Sequence, residues 1–518
     1  MQLEKIQQGP SLLFYLVTAP FLPLLIPVFV LLFIFKTLLK LVLISKHGKR
    51  FGGFLASPDT LWTHERNEWR CVVNVLFLLE CQDRIDLKQK LTVRAKERVF
   101  DVNDYPKLKA TVHKSCGYYY FVNDDVDLTD CAKVLRVPKD RPFDDDALRD
   151  IVSEMVNEPL PKNGAGMWEF RVSESPLVAK RNGKHAYPVI FRFNHVVGDG
   201  ATFISFFMKV FSDTQADQYL TTTLKKYSGL LTQTSNDFNL VIWFGRIKSI
   251  LRNLYVLFFI FGTLLHLLFA RESDENPLHG PCLCGDKIVA WSVEDKEELI
   301  PTVKKIKNKF PKMAFSEVVH TALVASLTDF YKRNGYGVPN YISVGMPFIM
   351  SVRDMLKPGP VTLVNKFSFG IATFPTRRAT LIQTLLEVKE RFEILKSGIE
   401  IEVAFIIMEY FMGLLPAFCV KIVSTLPGMT AIVTSLPGTA KVTFGNTAIT
   451  SVTFYAPNRM KTGLTISILT YDDRFQIGLE VDKALIASKT EAQIICEDIF
   501  KYLKLLDAET SSLGYNEI

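Results

Sequence analysis

Apolar residues follow three patterns along the 518-residue chain, and each pattern predicts a different kind of element. From Ser11 to Ser45 the chain is almost wholly apolar, broken by Pro20, Pro23, Pro27, Lys36 and Lys40. Elsewhere period two alternates with period 3.6. Tyr187 to Asn194, Tyr341-Ile-Ser-Val-Gly345 and Leu464 to Leu469 read as strands. Phe203, Phe206, Phe207, Val210 and Phe211 form the stripe of a helix. Ala314 to Tyr331 is a second helix, stopped by Asn334-Gly335, and Leu385, Val388, Phe392 and Leu395 stripe a third that ends at Gly398. Strands alternating with helices predict an α/β protein, too long for one core and therefore of two lobes.

The first apolar run is too long for a signal-peptide core and has no small-residue cleavage site, so it is expected to be retained. About twenty apolar residues cross a bilayer; this run fits one long tilted span or a proline-broken re-entrant hairpin. Lys36, Lys40, Lys46, Lys49 and Arg50 crowd its far side while Lys5 alone precedes it, which places residue 50 onward in the cytosol. A second run, Leu254 to Ala270, carries His266 and follows a basic amphipathic stretch, Trp243 to Arg252. One crossing there would separate the two halves of the protein, so the run is expected to lie in the interface, dip and return, or pack on the first. A third, Val403 to Val420, contains Glu409 and Pro416 and reads as a buried helix bordering the site. The expected organisation is a membrane anchor at 1–49, a first lobe at 50–238, a basic and apolar insertion at 239–275 and a second lobe at 276–518. The compartment expected is the endoplasmic reticulum or plasma membrane, with both lobes facing the cytosol.

Apolar residues make up 48% of the chain, and net charge is +7 from 61 basic and 54 acidic residues. No basic stripe is interleaved with aromatics, which excludes a nucleic-acid surface, whereas a weakly basic protein suits an anionic membrane face. Eight cysteines are scattered without a CxxC pair, and Cys282-x-Cys284 lacks partners at zinc spacing, so no metal is expected. No Asn is followed by x-Ser/Thr. Both features fit catalytic lobes in a reducing compartment.

Asn194-His-Val-Val-Gly-Asp-Gly200 stands between a predicted strand and a predicted helix. His195 is thereby delivered to a strand end, where an imidazole can face a cleft and take a proton near neutrality. Asp199 suits the helix cap and dipole, and Gly200 suits a tight backbone turn. The histidines at 47, 64, 113, 185, 266, 279 and 320 have no comparable setting, and Trp168 reads as core.

This His-x-x-x-Asp-Gly block resembles that of the CoA-dependent acyltransferase superfamily. Further stretches are similar to the bacterial-type wax ester synthase/diacylglycerol acyltransferase family: Ser57-Pro58-Asp59, Glu158 to Glu169, Gly345 to Arg353, Asn365-Lys-Phe-Ser368, Val433 to Gly438, Gly463 to Tyr471 and Gly478 to Asp482. The resemblance runs in order from about residue 50 to 500. It implies two chloramphenicol-acetyltransferase-like lobes with an active-site tunnel between them. It further implies transfer of a fatty acyl group from acyl-CoA to a lipid alcohol, giving triacylglycerol from diacylglycerol or wax ester from a long-chain alcohol, with a sterol as another acceptor. His195 would be the general base and Asp199 structural, as a cap or as the partner of Arg353. Asn194, Asn365, Ser368, Thr465 and Ser467 become candidate donors to substrate or oxyanion. No metal and no cofactor beyond the acyl-CoA co-substrate is implied. The family usually carries a second histidine where Asn194 stands, and the apolar N-terminal segment is not part of the bacterial pattern. A membrane lipid-binding or transfer protein of the same fold, its turnover weakened, is the alternative.

Overall fold

The computed structural model describes residues 12–65, 70–81, 87–160, 166–179, 183–213, 258–266, 274, 276–350, 359–424, 428–458 and 461–512. Helices α1 (Leu12–Thr18) and α2 (Leu22–His47) lead into β1 (Phe51–Phe54), β2 (Val72–Cys81), β3 (Ala110–Ser115), β4 (Tyr118–Asn123), β5 (Ala132–Leu135), β6 (Trp168–Ser173) and β7 (His185–Asn194), followed by α3 (Gly200–Val210). The second half runs through β8 (Lys287–Val293), α4 (Phe315–Arg333), β9 (Tyr341–Ile349), β10 (Phe367–Pro375), α5 (Leu381–Ser397), α6 (Glu400–Ile406) and α7 (Ala417–Ser424). It ends with β11 (Ala431–Leu436), β12 (Thr443–Phe444), β13 (Thr447–Tyr455), β14 (Leu464–Tyr471), β15 (Arg474–Asp482) and α8 (Lys489–Ser511). The strands and helices predicted from periodicity form, apart from the third apolar run described below, and Gly398 caps α5 as its position implied.

Two six-stranded sheets organise these elements, in the orders β12-β13-β2-β7-β6-β5 and β10-β9-β11-β14-β15-β8. Each has its own apolar core: Phe191, Phe193, Phe206 and Phe211 in the first, Val344, Phe374, Ile466 and Leu503 in the second. The lobes are not contiguous in sequence as expected. β12 and β13 leave the second lobe and join the first, pairing antiparallel with β2 from Ala448↔Glu80 to Tyr455↔Asn74. An edge strand in an otherwise apolar sheet is a hazard when left open, and this crossover covers β2. The predicted 238/239 boundary and most of the 239–275 insertion, including Trp243 to Arg252, lie outside the described residues.

Among the described residues, one helical stretch, Leu13–Arg50, is long and apolar enough to cross a membrane. Pro20 and Pro23 sit at helix starts, where the missing N–H costs least, so the chain turns at 19–21 and α2 then runs unbroken through Pro27. The described part of the second apolar run, 258–266, is helical and packs on α1: the Tyr15 and Phe259 rings lie 4.4 Å apart, and Tyr15 Oη meets Thr263 Oγ1 at 3.3 Å. Packing on the first segment is one of the three arrangements expected for it. The third run is not the single buried helix expected. Pro416 interrupts it before α7, and Val403, Met408 and Met412 face inward while Tyr410 and Phe418 stand exposed.

The strand that carries the histidine is held by a buried ion pair. Arg192 and Glu169, both wholly buried, meet at 2.7 Å, and Arg192 also donates to Asn74 Oδ1 at 3.0 Å and Met155 O at 2.8 Å. Breaking one side of such a pair leaves an uncompensated charge. Glu169→Ala is therefore expected to lower unfolding free energy by about 3–5 kcal/mol, read by denaturant unfolding of the solubilised protein.

Candidate active site

β7 lies antiparallel to β2 with Val72 opposite Asn194, and one residue later His195 N–H donates to Cys71 O at 2.7 Å. The chain then turns: Asn194 Oδ1 accepts from Val196 N at 3.0 Å, and Val197 N–H donates to Asn194 O at 3.0 Å. Asn194 thus shapes the turn that presents the neighbouring imidazole. Asp199 caps α3, accepting from Thr202 N at 2.9 Å.

The His195 ring is held on two sides. Trp62 stacks on it at 3.6 Å and 8° between planes, and its Nδ1 lies 3.1 Å from Asn365 Oδ1. The orientation of the Asn365 amide is fixed by its other contacts. Asn365 Nδ2 lies 2.9 Å from Asp59 Oδ1 and 2.7 Å from His195 O, both acceptors, so the NH2 group must point there. Its oxygen consequently faces the imidazole and can only accept, which puts the ring proton on Nδ1 and the lone pair on Nε2. Asp59 is buried; burial pushes its carboxyl up, while Lys107 at 2.8 Å and the Asn365 amide pull the other way. The chain Lys107–Asp59–Asn365–His195 draws on both lobes, and it sets the tautomer a general base needs.

Five expected roles change. Asn365 has no side-chain N–H left for an oxyanion; it positions His195 instead. Ser368 donates to Ile401 O, because alternation along β10 turns it to the face opposite Phe367, whose ring is 6.5 Å from His195. Gly200 is not in the left-handed region: a Cβ there would meet Leu436 Cδ1 at 2.6 Å, so its missing side chain provides packing space rather than a turn. Thr465 Oγ1 donates to Asn458 Oδ1 at 2.7 Å and Ser467 Oγ accepts from Ala456 N at 3.4 Å, so both brace the 456–458 segment after β13. Arg353 lies outside the described residues. His279 belongs to a separate buried cluster, where Asp274 receives it at 2.9 Å together with the hydroxyls of Ser343 and Thr430.

Asp199 does more than cap. Its Oδ2 accepts from Lys366 N at 2.9 Å and its N–H donates to Val364 O at 3.2 Å, tying α3 to the segment before β10 that brings Asn365. Burial raises its pKa to about 6, against the backbone donors that lower it. Lys107 and Trp62 were not foreseen from the sequence; Asp59 carried a signal as the acidic member of the Ser57-Pro58-Asp59 box.

Beside the His195 turn lies an apolar cavity of about 70 Å³. Val73, Val75 and Phe77 line it from β2, Phe203 and Phe207 from α3, and Leu436 near Gly200. Its tyrosine, Tyr471, turns its hydroxyl to Val442 N and Ile449 O, each at 3.0 Å. A second, small crevice near Thr60 and Thr63 reaches Lys36 of α2 and Gly413. Among the described residues no cluster of His, Cys, Asp or Glu is arranged to hold a metal ion.

Two outcomes test this geometry. Asn365→Ala is expected to lower kcat by on the order of 10²-fold, the lower range for a general base, with KM nearly unchanged in a steady-state assay. For Asp199, the folded state holds the proton more tightly than the unfolded chain, whose carboxyl titrates near 3.8. Stability should then fall as pH rises from about 4 to about 6, by about 3 kcal/mol, and Asp199→Asn should flatten that slope in denaturant titrations.

Residues 363–506 match the WS/DGAT C-terminal domain family. The fold of the whole chain is similar to that of the wax ester synthase/diacylglycerol acyltransferase from Marinobacter aquaeolei, with TM-score 0.59 and 12% identity over 89% of this chain and 100% of that one. Trichothecene 15-O-acetyltransferase from Fusarium sporotrichioides is similar with TM-score 0.55 and 12% identity, over 88% and 95% of the two chains. The first condensation domain of the CDA synthetase is similar with TM-score 0.54 and 12% identity, over 89% and 97%. No curated protein sequence matches the chain. The two-lobed architecture is thus shared with these structures, and residues 363–506 are similar to the WS/DGAT C-terminal domain.

Proposed function

We propose that this protein transfers a fatty acyl group from acyl-CoA to the hydroxyl of a lipid alcohol, diacylglycerol or a long-chain alcohol, at the seam between its lobes. The observation that carries the reading is the locked imidazole. With its proton held on Nδ1 by Asn365, His195 offers Nε2 to the acceptor hydroxyl. As the hydroxyl oxygen attacks the thioester carbon, its proton passes to Nε2. The tetrahedral intermediate then expels the CoA sulfur, and the same proton leaves the imidazolium for the thiolate. Ester and free CoA result, and the histidine is returned neutral. The transient charge on the ring is met by the Asn365 carbonyl dipole, itself oriented by Asp59 and Lys107. General base help of this kind is worth ~10²–10⁴ in rate, and placing both substrates in one cleft contributes more.

The cavity beside Gly200 supports the acyl side. A wall of Val, Phe and Leu suits an alkyl chain, and Val73 stands two residues from Cys71, whose carbonyl takes the His195 N–H. The seam also joins an N-terminal histidine to a C-terminal asparagine, so both lobes share one compartment, and acyl-CoA arriving from the cytosol fits that placement.

His195→Ala is expected to abolish ester formation from labelled acyl-CoA with either hexadecanol or diacylglycerol, as resolved by thin-layer analysis. The unaltered chain yielding no ester with either acceptor would overturn the reading in favour of a lipid-binding protein. Val452→Trp, which fills the cavity, should lower kcat/KM for palmitoyl-CoA by roughly tenfold or more while butyryl-CoA changes little.

A further inference from the structure

α2 has the length and composition of a membrane span, yet its packing is inconsistent with one. Its 26 residues extend about 39 Å, and one narrow stripe of them faces protein. That stripe runs from Leu22 through Phe29, Lys36 and Leu43 to His47, at spacings of three or four residues, from the first residue of the helix to the last. Its partners change along the way. Leu22 joins the apolar cluster of Ile260, Ile399 and Val403, and Phe29 meets the Phe411 ring at 5.2 Å. Lys36 Nζ donates to Gly413 O at 2.7 Å, Leu39 and Leu43 pack on Tyr118 and Val122, and His47 Nε2 meets Tyr120 Oη at 3.1 Å.

A helix that crossed the bilayer would carry this strip of the lobes across with it. The strip bears Glu400 and Glu402 in the first turn of α6 at one end, and Arg50 paired with Asp124 at the other. Drawing such groups through hydrocarbon is costly. The remaining faces of α2 are apolar and exposed, among them Leu24, Leu31, Phe33, Leu38 and Val42. The second lobe continues that surface with Tyr410, Phe418 and Ile422, the last two 67% and 57% exposed. Lys40, Lys46, Lys49 and Arg50 lie exposed at one end of the patch, where they complement anionic headgroups.

We propose that the protein is monotopic: α2 lies in the plane of a single lipid leaflet, with Tyr410, Phe418 and Ile422 seated in the same leaflet and both chain ends on one side. The occupant of the apolar face is lipid rather than another protein, because an uninterrupted aliphatic surface of this length edged by lysines is the pattern of an interfacial helix. The seat brings the Lys36 crevice to the lipid surface, on the side of the Thr60–Thr63 turn that carries Trp62.

Topology tests this directly in the full chain. The sequence has no Asn-x-Ser/Thr acceptor of its own, so tags placed before Met1 and after Ile518 report without background. Both tags should behave alike in cells; modification of one alone would place the ends in different compartments and overturn the proposal. The purified full chain should also bind oil droplets coated with a phosphatidylcholine monolayer, which cannot accommodate a spanning helix. The exposed double substitution Phe418→Asp/Ile422→Asp should weaken that binding by roughly tenfold or more while leaving the circular dichroism spectrum unchanged. Droplet binding unaffected by the pair, or none by the unaltered chain, would refute the leaflet seat. None of these readouts depends on acyl transfer, so they separate the seat from the catalytic reading.

Discussion

A single amide holds the candidate site in working order. Asn365 stands in the segment just before β10 of the second lobe, and its NH2 group is bound by a carboxylate and a backbone carbonyl of the first. Because both partners are acceptors, the amide cannot flip without facing its oxygen to two other oxygens. The histidine tautomer follows from that constraint. So does the closeness of the lobes, since the same turn is clamped by Asp199 to Val364 and Lys366. An isolated first lobe would present His195 with its ring proton unassigned.

The buried charges near the site serve the same purpose. Asp59 with Lys107 and Glu169 with Arg192 sit in elements that converge on the end of β7. Such pairs are poor sources of net stability, because desolvation offsets much of their attraction. Their value lies in geometry, since a mispositioned partner is penalised heavily. The strand end is thereby held where Trp62 can stack on the imidazole. Aromatic stacking on a neutral ring is compatible with a base, and under the proposed reaction the apolar wall beside Gly200 would keep water away from the thioester.

Helix α2 and the His195 site meet at the segment following α6. Gly413 takes the Lys36 ammonium on its carbonyl and gives its N–H to Ser57 Oγ at 2.8 Å, two residues before Asp59. A Cβ at Gly413 would lie 3.0 Å from the Ser57 backbone, a tight fit that would push the Ser57 turn back by a few tenths of an ångström. Helix α2 is therefore two hydrogen bonds from the turn whose Asp59 orients Asn365.

The sequence by itself determined the local elements around the histidine. Alternation up to Asn194, the Asp-Gly pair and the phenylalanine stripe prescribe strand, turn and helix through periodicity and capping, which are short-range effects. It also determined that the N-terminal run is apolar and long. Through the order of its motifs it pointed to the fold that the comparisons support. Only the tertiary structure decided which side chains serve the imidazole. Asn365 is 170 residues from His195 and Asp59 is 136 residues away on the other side, and no local pattern encodes which way an amide will point. Ser368, three residues from Asn365, is excluded by strand alternation once the register is known. The crossover of β13 into the first lobe depends on which sheet edge is open, and the lie of α2 depends on what its narrow inward stripe finds to pack against. Hydropathy measures what a helix is made of. Its neighbours decide where it lies.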